Sequence, residues 1–74
     1  MEITTGRLNG GRKEAMVELD LRIVRGNTRS CLVTDGTREE WLPISQIEDI
    51  QEIPGAEFSR ITIPEWLARD RELI

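Results

Sequence analysis

Hydrophobic and polar residues alternate along 16–25 (MVELDLRIVR). Val17, Leu19, Leu21 and Ile23 share one side, and Glu18, Asp20 and Arg22 share the other. A period of two over this length predicts a half-buried strand. Gly26-Asn27 follows, and glycine in first place suits a two-residue type II′ hairpin. Residues 28–34 (TRSCLVT) predict the returning strand, and Asp35-Gly36 marks a second hairpin. A third strand over about 38–43 carries Trp41 and Leu42 and stops at Pro43, which has no N–H for a ladder. The register of this second hairpin stays open. A two-residue loop and a three-residue loop with a bulge place Trp41 on different sides relative to Cys31.

Residues 44–53 (ISQIEDIQEI) read two ways. Ile44, Ile47, Ile50 and Ile53 recur every three positions, a spacing that fits neither a helix nor a strand. Ser45 with Glu48 three positions on has the form of a capping box, so a helical turn starts there. It continues as a short helix to Ile53, or ends as a single 3₁₀ turn followed by a strand. The run of β-branched isoleucines favours the strand. Pro54-Gly55 predicts a type II turn. Alternation returns over 57–63, with Phe58, Arg60 and Thr62 on one side and Ser59, Ile61 and Ile63 on the other. A helix over 63–72 follows, with Thr62 and Glu65 as its capping pair and Pro64 in the first turn. Trp66, Leu67, Leu73 and Ile74 supply its apolar stripe.

These elements predict a mainly β fold: a small four- to five-stranded antiparallel barrel, Src-homology-3-like, with one C-terminal α-helix. Residues 1–14, with Gly6, Gly10 and Gly11, read as a flexible arm, and 15–74 as a single small domain. With 74 residues there is no room for a dinucleotide fold or an eight-stranded α/β barrel. No apolar stretch approaches the roughly 20 residues of a membrane span, and residues 1–14 carry no apolar core of a secretory signal. A single cysteine, Cys31, permits no intramolecular disulfide, and a reducing cytoplasm fits best.

Composition narrows the chemistry further. Histidine and tyrosine are absent, and the one lysine is Lys13. Nucleophile–histidine catalysis is therefore closed to this chain, and a zinc site would have to be assembled from one cysteine and carboxylates. No enzymatic activity, cofactor or metal is expected. The net charge of −4 is unevenly spread. Between Arg7 and Arg38 seven basic residues face four acidic ones, whereas 39–57 holds six acidic residues and no basic one. The low isoelectric point argues against tight, nonspecific binding of nucleic acid.

Three blocks in the second half form a pattern: Asp35-Gly36, then Trp41-Leu42-Pro43-Ile44-Ser45-Gln46-Ile47-Glu48, then Ile61-Thr62-Ile63-Pro64-Glu65-Trp66-Leu67-Ala68. The chain resembles a group of short bacteriophage and prophage proteins in which an alternating strand leads to a DG turn, a W-[IL]-P-x-S-Q-I block and a terminal IPEWLA helix. The resemblance covers about 16–72 and implies a mobile-element source rather than an activity. Arg69 and Arg71 depart from the acidic, lysine-containing tail of that group, and the glycine-rich arm is longer.

Trp41 and Trp66 read as packing residues, Cys31 as a small buried apolar one, and Ser45 and Thr62 as caps. The candidate functional residues are Glu39, Glu40, Glu48, Asp49 and Glu52, an acidic face aimed at a host protein with a basic, nucleic-acid-binding surface. Together with the resemblance, this predicts a non-enzymatic inhibitor of a host antiviral defence complex of the CRISPR kind. The alternative is an accessory protein of phage replication or recombination that holds single-stranded nucleic acid through Arg22, Arg25, Arg29 and Arg38.

Overall fold

The computed structural model describes residues 14–74. The arm read over 1–14 therefore falls outside the described residues, except for Glu14. Five strands and one helix follow in order: β1 (Met16–Gly26), β2 (Ser30–Thr34), β3 (Glu39–Pro43), a 3₁₀ turn (Ile44–Gln46), β4 (Asp49–Glu52), β5 (Ser59–Pro64) and α1 (Glu65–Asp70). All ladders are antiparallel, in the order β3-β2-β1-β5-β4. The fold is mainly β, a five-stranded antiparallel sheet with a C-terminal helix. Among the described residues the sheet is open, with β3 and β4 at its two ends.

The long strand β1 joins the two halves of the sheet. Its first part, from Met16 to Leu21, pairs with β5, and its second, from Arg22 to Gly26, pairs with β2. Alternation holds as the sequence implies. Leu19 lies opposite Ile61 and Val17 opposite Ile63 on the inner side, while Asp20 faces Arg60 on the outer side. Leu21, Cys31, Val33, Leu42, Ile61, Ile63, Leu67 and Ala68 form the core, with Val17, Leu19, Ile47 and Leu73 packed around it. Each fully buried aliphatic side chain contributes roughly 1.5–3 kcal/mol. Helix α1 packs against β5 and β1 through Leu67 and Ala68.

The turns show where local chemistry departs from the simplest reading. Gly26 is not in a left-handed conformation and pairs with Cys31 as the last residue of β1. The first reversal comes one residue later, because the Asn27 carboxamide oxygen accepts the backbone N–H groups of Arg29 (2.8 Å) and Ser30 (2.9 Å). The type II′ turn at Gly26-Asn27 is thus replaced by an asparagine-closed turn over 27–30. The second hairpin has a four-residue loop, 35–38, longer than either loop the sequence offered. Asp35 accepts the N–H groups of Thr37 (2.8 Å) and Arg38 (3.1 Å), and the Thr34 hydroxyl donates to the Arg38 carbonyl (2.7 Å). Gly36, with φ of 100°, takes the left-handed position in this loop. At the third turn Gly55 has φ of 83°, and Ala56 N–H donates to the Ile53 carbonyl (3.0 Å), as a type II turn requires.

Residues 44–52 resolve as a 3₁₀ turn followed by a strand. Ser45 does not cap that turn, whose N-cap is Pro43 without a side-chain hydrogen bond. Thr62 does not cap α1 either. It is held in the β5 ladder opposite Glu18 and Asp49, and Pro64 becomes the N-cap. The helix is shorter than 63–72 because β5 occupies the residues up to Pro64.

Both tryptophans correct the packing expectation. Trp41 is 41% exposed and Trp66 50% exposed, and Phe58, the remaining aromatic, is 39% exposed. On β3 the register puts Leu42, not Trp41, opposite buried Cys31. On α1 the residues turned to the sheet are Leu67 and Ala68, which carries Trp66 outward. Cys31 is buried, as expected of a small apolar residue.

Candidate functional site

Five carboxylates were singled out by sequence, and the structure divides them. Glu39 and Glu40 alternate across β3, so Glu39 lies on the side of Trp41 and Glu40 on the side of Leu42. Glu40 is half-buried and 3.6 Å from Arg38, which also pairs with Glu72 at 2.7 Å. Glu48 immediately precedes β4, at the other end of the ladder order, and Asp49 and Glu52 are the first and last residues of that strand, on opposite sides of it. All four residues of β4 are exposed, and among the described residues β5 is its one ladder neighbour.

Beside this acidic strand lies an apolar groove of about 390 Å³, lined by Gly26, Cys31, Ile44, Ile47, Glu48, Asp49 and Ile50. Three backbone bonds hold its walls. Ile44 N–H donates to the Arg29 carbonyl (2.8 Å), Ile47 N–H to the Ile44 carbonyl (3.0 Å), and Glu48 N–H to the Thr62 carbonyl (2.8 Å). The first ties the 3₁₀ turn to the first hairpin, and the last ties the start of β4 to β5. Cys31 forms part of the groove from the β2 side. Burial pushes its thiol above the ordinary cysteine range, so it acts as an apolar wall and not as a nucleophile. The arrangement offers isoleucine surface edged by carboxylates, which suits apolar and cationic side chains together.

The sequence reading did not assemble this groove. Its signal was present in the three-residue spacing of Ile44, Ile47 and Ile50 around Glu48-Asp49. That spacing spans the start of a 3₁₀ turn, its exit and a strand, so no single period describes it.

The arginines also separate. Arg60 pairs with Asp20 (3.1 Å), Arg69 with Glu65 (2.6 Å), Arg71 with Asp70, and Arg38 with Glu72 and Glu40. The hydrogen bond that the Arg60 guanidinium donates to the Asp20 carboxylate raises Arg60 above its ordinary range. Arg22, Arg25 and Arg29 make no ion pair among the described residues, and all three belong to the β1–β2 hairpin. Arg25 is placed by a bulge: Ile23 pairs with Val33 and Arg25 with Leu32, leaving Val24 extra. Arg25, Leu32 and Trp41 therefore form one outward row, with the Arg25 guanidinium 6.0 Å from the centre of the Trp41 ring. Arg38 does not join this group.

Among the described residues no cluster of histidine, cysteine or carboxylate side chains could hold a metal ion, and no helix is long and apolar enough to cross a membrane. Compared with known proteins, the chain matches no family model, no curated protein and no solved structure.

Proposed function

We propose that this chain is a non-enzymatic protein-binding module whose contact surface is the groove beside β4. The observation that carries the reading is the isoleucine-lined groove with Glu48 and Asp49 in its wall and Glu52 further along the same strand. An apolar centre with a charged rim is the common anatomy of a protein interface. Carboxylates at that rim select a partner with a basic surface and speed its approach. The resemblance to short phage and prophage proteins puts that partner in the cytoplasm of a bacterial host. A nucleic-acid-binding component of an antiviral defence complex of the CRISPR kind has the matching charge. Glu39 and Glu40 lie outside this surface, so the acidic contact reduces to Glu48, Asp49 and Glu52.

The test is capture of host proteins by the tagged chain, with nuclease present, compared with an Ile50→Lys variant. A specific protein retained by the native chain and lost from the variant supports the reading. Capture that the variant leaves unchanged overturns it.

A second reading has its own observation. Arg22, Arg25 and Arg29 have no carboxylate partner among the described residues, and Trp41 lies exposed beside Arg25, which is what a short single strand uses for phosphate contact and base stacking. Three phosphate contacts predict a log–log salt slope of about −2 on single strands. A labelled oligonucleotide that binds at low salt with that slope, and is released by Trp41→Ala, supports it. No binding at low salt removes it.

A further inference from the structure

Strand β4 is the edge of the sheet on the side of the groove, and it is short, exposed and unpaired beyond β5 among the described residues. An open edge of this kind is a template for another strand. We infer that the partner binds by adding an extended segment to β4, with cationic side chains beside Asp49 and Glu52 and an apolar side chain beside Ile50. This rests on the reading of the groove as the contact surface and names the form the partner takes there.

The register of β4 sets the chemistry of the incoming strand. Ile50 lies opposite Ile61, a core residue, and so faces inward, while Asp49 and Gln51 lie opposite Thr62 and Arg60 on the outer side. Side chains of a neighbouring strand, about 4.8 Å away, follow the same alternation. The position beside Ile50 points towards the groove of Cys31, Ile44 and Ile47 and takes an apolar residue. The position beside Asp49 faces a carboxylate and takes lysine or arginine, and so does the position beside Glu52. Opposite charges placed directly across a ladder stabilise it, and like charges destabilise it.

The same rule decides against a second copy of this chain. Antiparallel pairing of β4 with β4 over its four residues puts Asp49 of each copy beside Glu52 of the other and leaves Ile50 beside Gln51, and the register centred on Ile50 puts Glu48 of each copy beside Glu52 of the other. Carboxylates repel at both ends of the ladder in either register. A basic, extended segment satisfies all four positions.

The probe is a six-residue peptide with Lys-Thr-Val-Lys at its centre, blocked at both ends, and an analogue of the same sequence N-methylated at alternate residues. N-methylation removes backbone donors and leaves the side chains in place. Titrations of the full chain are followed by amide chemical shifts and hydrogen exchange. The expected result is binding of the first peptide with shifts confined to the groove and β4, and slower exchange of β4 amides. The methylated analogue binds about tenfold more weakly or worse, as loss of one or two net hydrogen bonds implies. The double variant Asp49→Lys, Glu52→Lys, checked for retained fold by circular dichroism, loses affinity by a similar factor.

Equal binding of the two peptides overturns strand addition while leaving the groove reading intact. Shifts that map away from the groove and β4 overturn both. Strand addition is also overturned if neither peptide binds at millimolar concentration, or if the β4 amides that face away from β5 are already protected in the free chain. Concentration-dependent self-pairing through β4 overturns it as well.

Discussion

Arg25 lies opposite Leu32 in the ladder and reaches Trp41, with its guanidinium carbon 6.0 Å from the ring centre. Leu32 is 5% exposed although it faces outward, on the side of the sheet opposite the core. The bulge at Val24 makes this possible. In an unbulged strand Arg25 would lie opposite Cys31, on the inner side, and its charge would point into the core.

Removing either member of the pair measures the contact. A cation over an exposed indole is worth about 0.5–1 kcal/mol. The double-mutant cycle of Arg25→Ala and Trp41→Ala, read by urea denaturation, is expected to return a coupling of about that size. A coupling indistinguishable from zero would show that Arg25 only shields Leu32.

Adjacent residues on β3 should respond very differently to truncation. Leu42 is fully buried opposite Cys31, whereas Trp41 is 41% exposed. Leu42→Ala is expected to cost about 2–5 kcal/mol. That is a large part of the roughly 5 kcal/mol available to a domain of this size. Trp41→Ala, despite its larger loss of volume, should leave the chain folded. Comparable midpoints for the two variants in a denaturant titration would contradict the register of β3.

Much of this fold was legible in the sequence because period-two alternation dictates which side of a strand is buried. Val17, Leu19 and Leu21 and then Ile61 and Ile63 are assigned by alternation alone, and both sets face the core. Faces across a hairpin are different, since they depend on loop length. Here the loop length follows from hydrogen bonds of the Asp35 and Thr34 side chains, which no hydrophobic pattern encodes. The side taken by Trp41 was therefore open in the sequence, and its reading as a packing residue, resting on its apolar context alone, did not hold. Thr62 was misassigned because a residue suited to capping is equally suited to a strand, and the pairing with β1 and β4 wins. The candidate site was legible in its charges at 48, 49 and 52. The groove beside them was not, because Gly26 and Cys31 come from a distant part of the chain.

The end of α1 carries an unusual residue at its left-handed position. Glu72 has φ of 57°, the Glu72 N–H donates to the Arg69 carbonyl (3.0 Å), and the Leu73 N–H donates to the Ala68 carbonyl (2.8 Å). This is a Schellman closure, in which glycine is the favoured residue. A side chain there costs about 1 kcal/mol. Glu72 offsets part of this through its exposed pair with Arg38 (2.7 Å). Exposed pairs contribute little. Glu72→Gly is therefore expected to raise the thermal midpoint by a few degrees, and Glu72→Ala to lower or preserve it. A lower midpoint for the glycine variant would show that the tie to Arg38 outweighs the backbone strain.

Acid should loosen the second hairpin first through Asp35. Its carboxyl is held below the usual aspartate range, chiefly by the N–H of Thr37 and then by that of Arg38. The folded chain therefore gives up this proton at lower pH than the unfolded chain does. The contribution is complete above the unfolded-state value and is lost as pH falls through the folded-state value. Asp35→Ala is expected to lower the thermal midpoint at neutral pH, and the gap to the native chain should close as pH drops below the ordinary aspartate range. Asp35→Asn keeps an oxygen that accepts from Thr37 and Arg38 but carries no titrating proton, so its gap should not close in the same way. Thermal melts of the three proteins from neutral to strongly acidic solution separate these cases. An alanine variant that melts with the native chain at every pH would mean the loop is held by the Thr34 hydroxyl and its bonds to Gly36 (3.0 Å) and Arg38 (2.7 Å), with Asp35 a bystander.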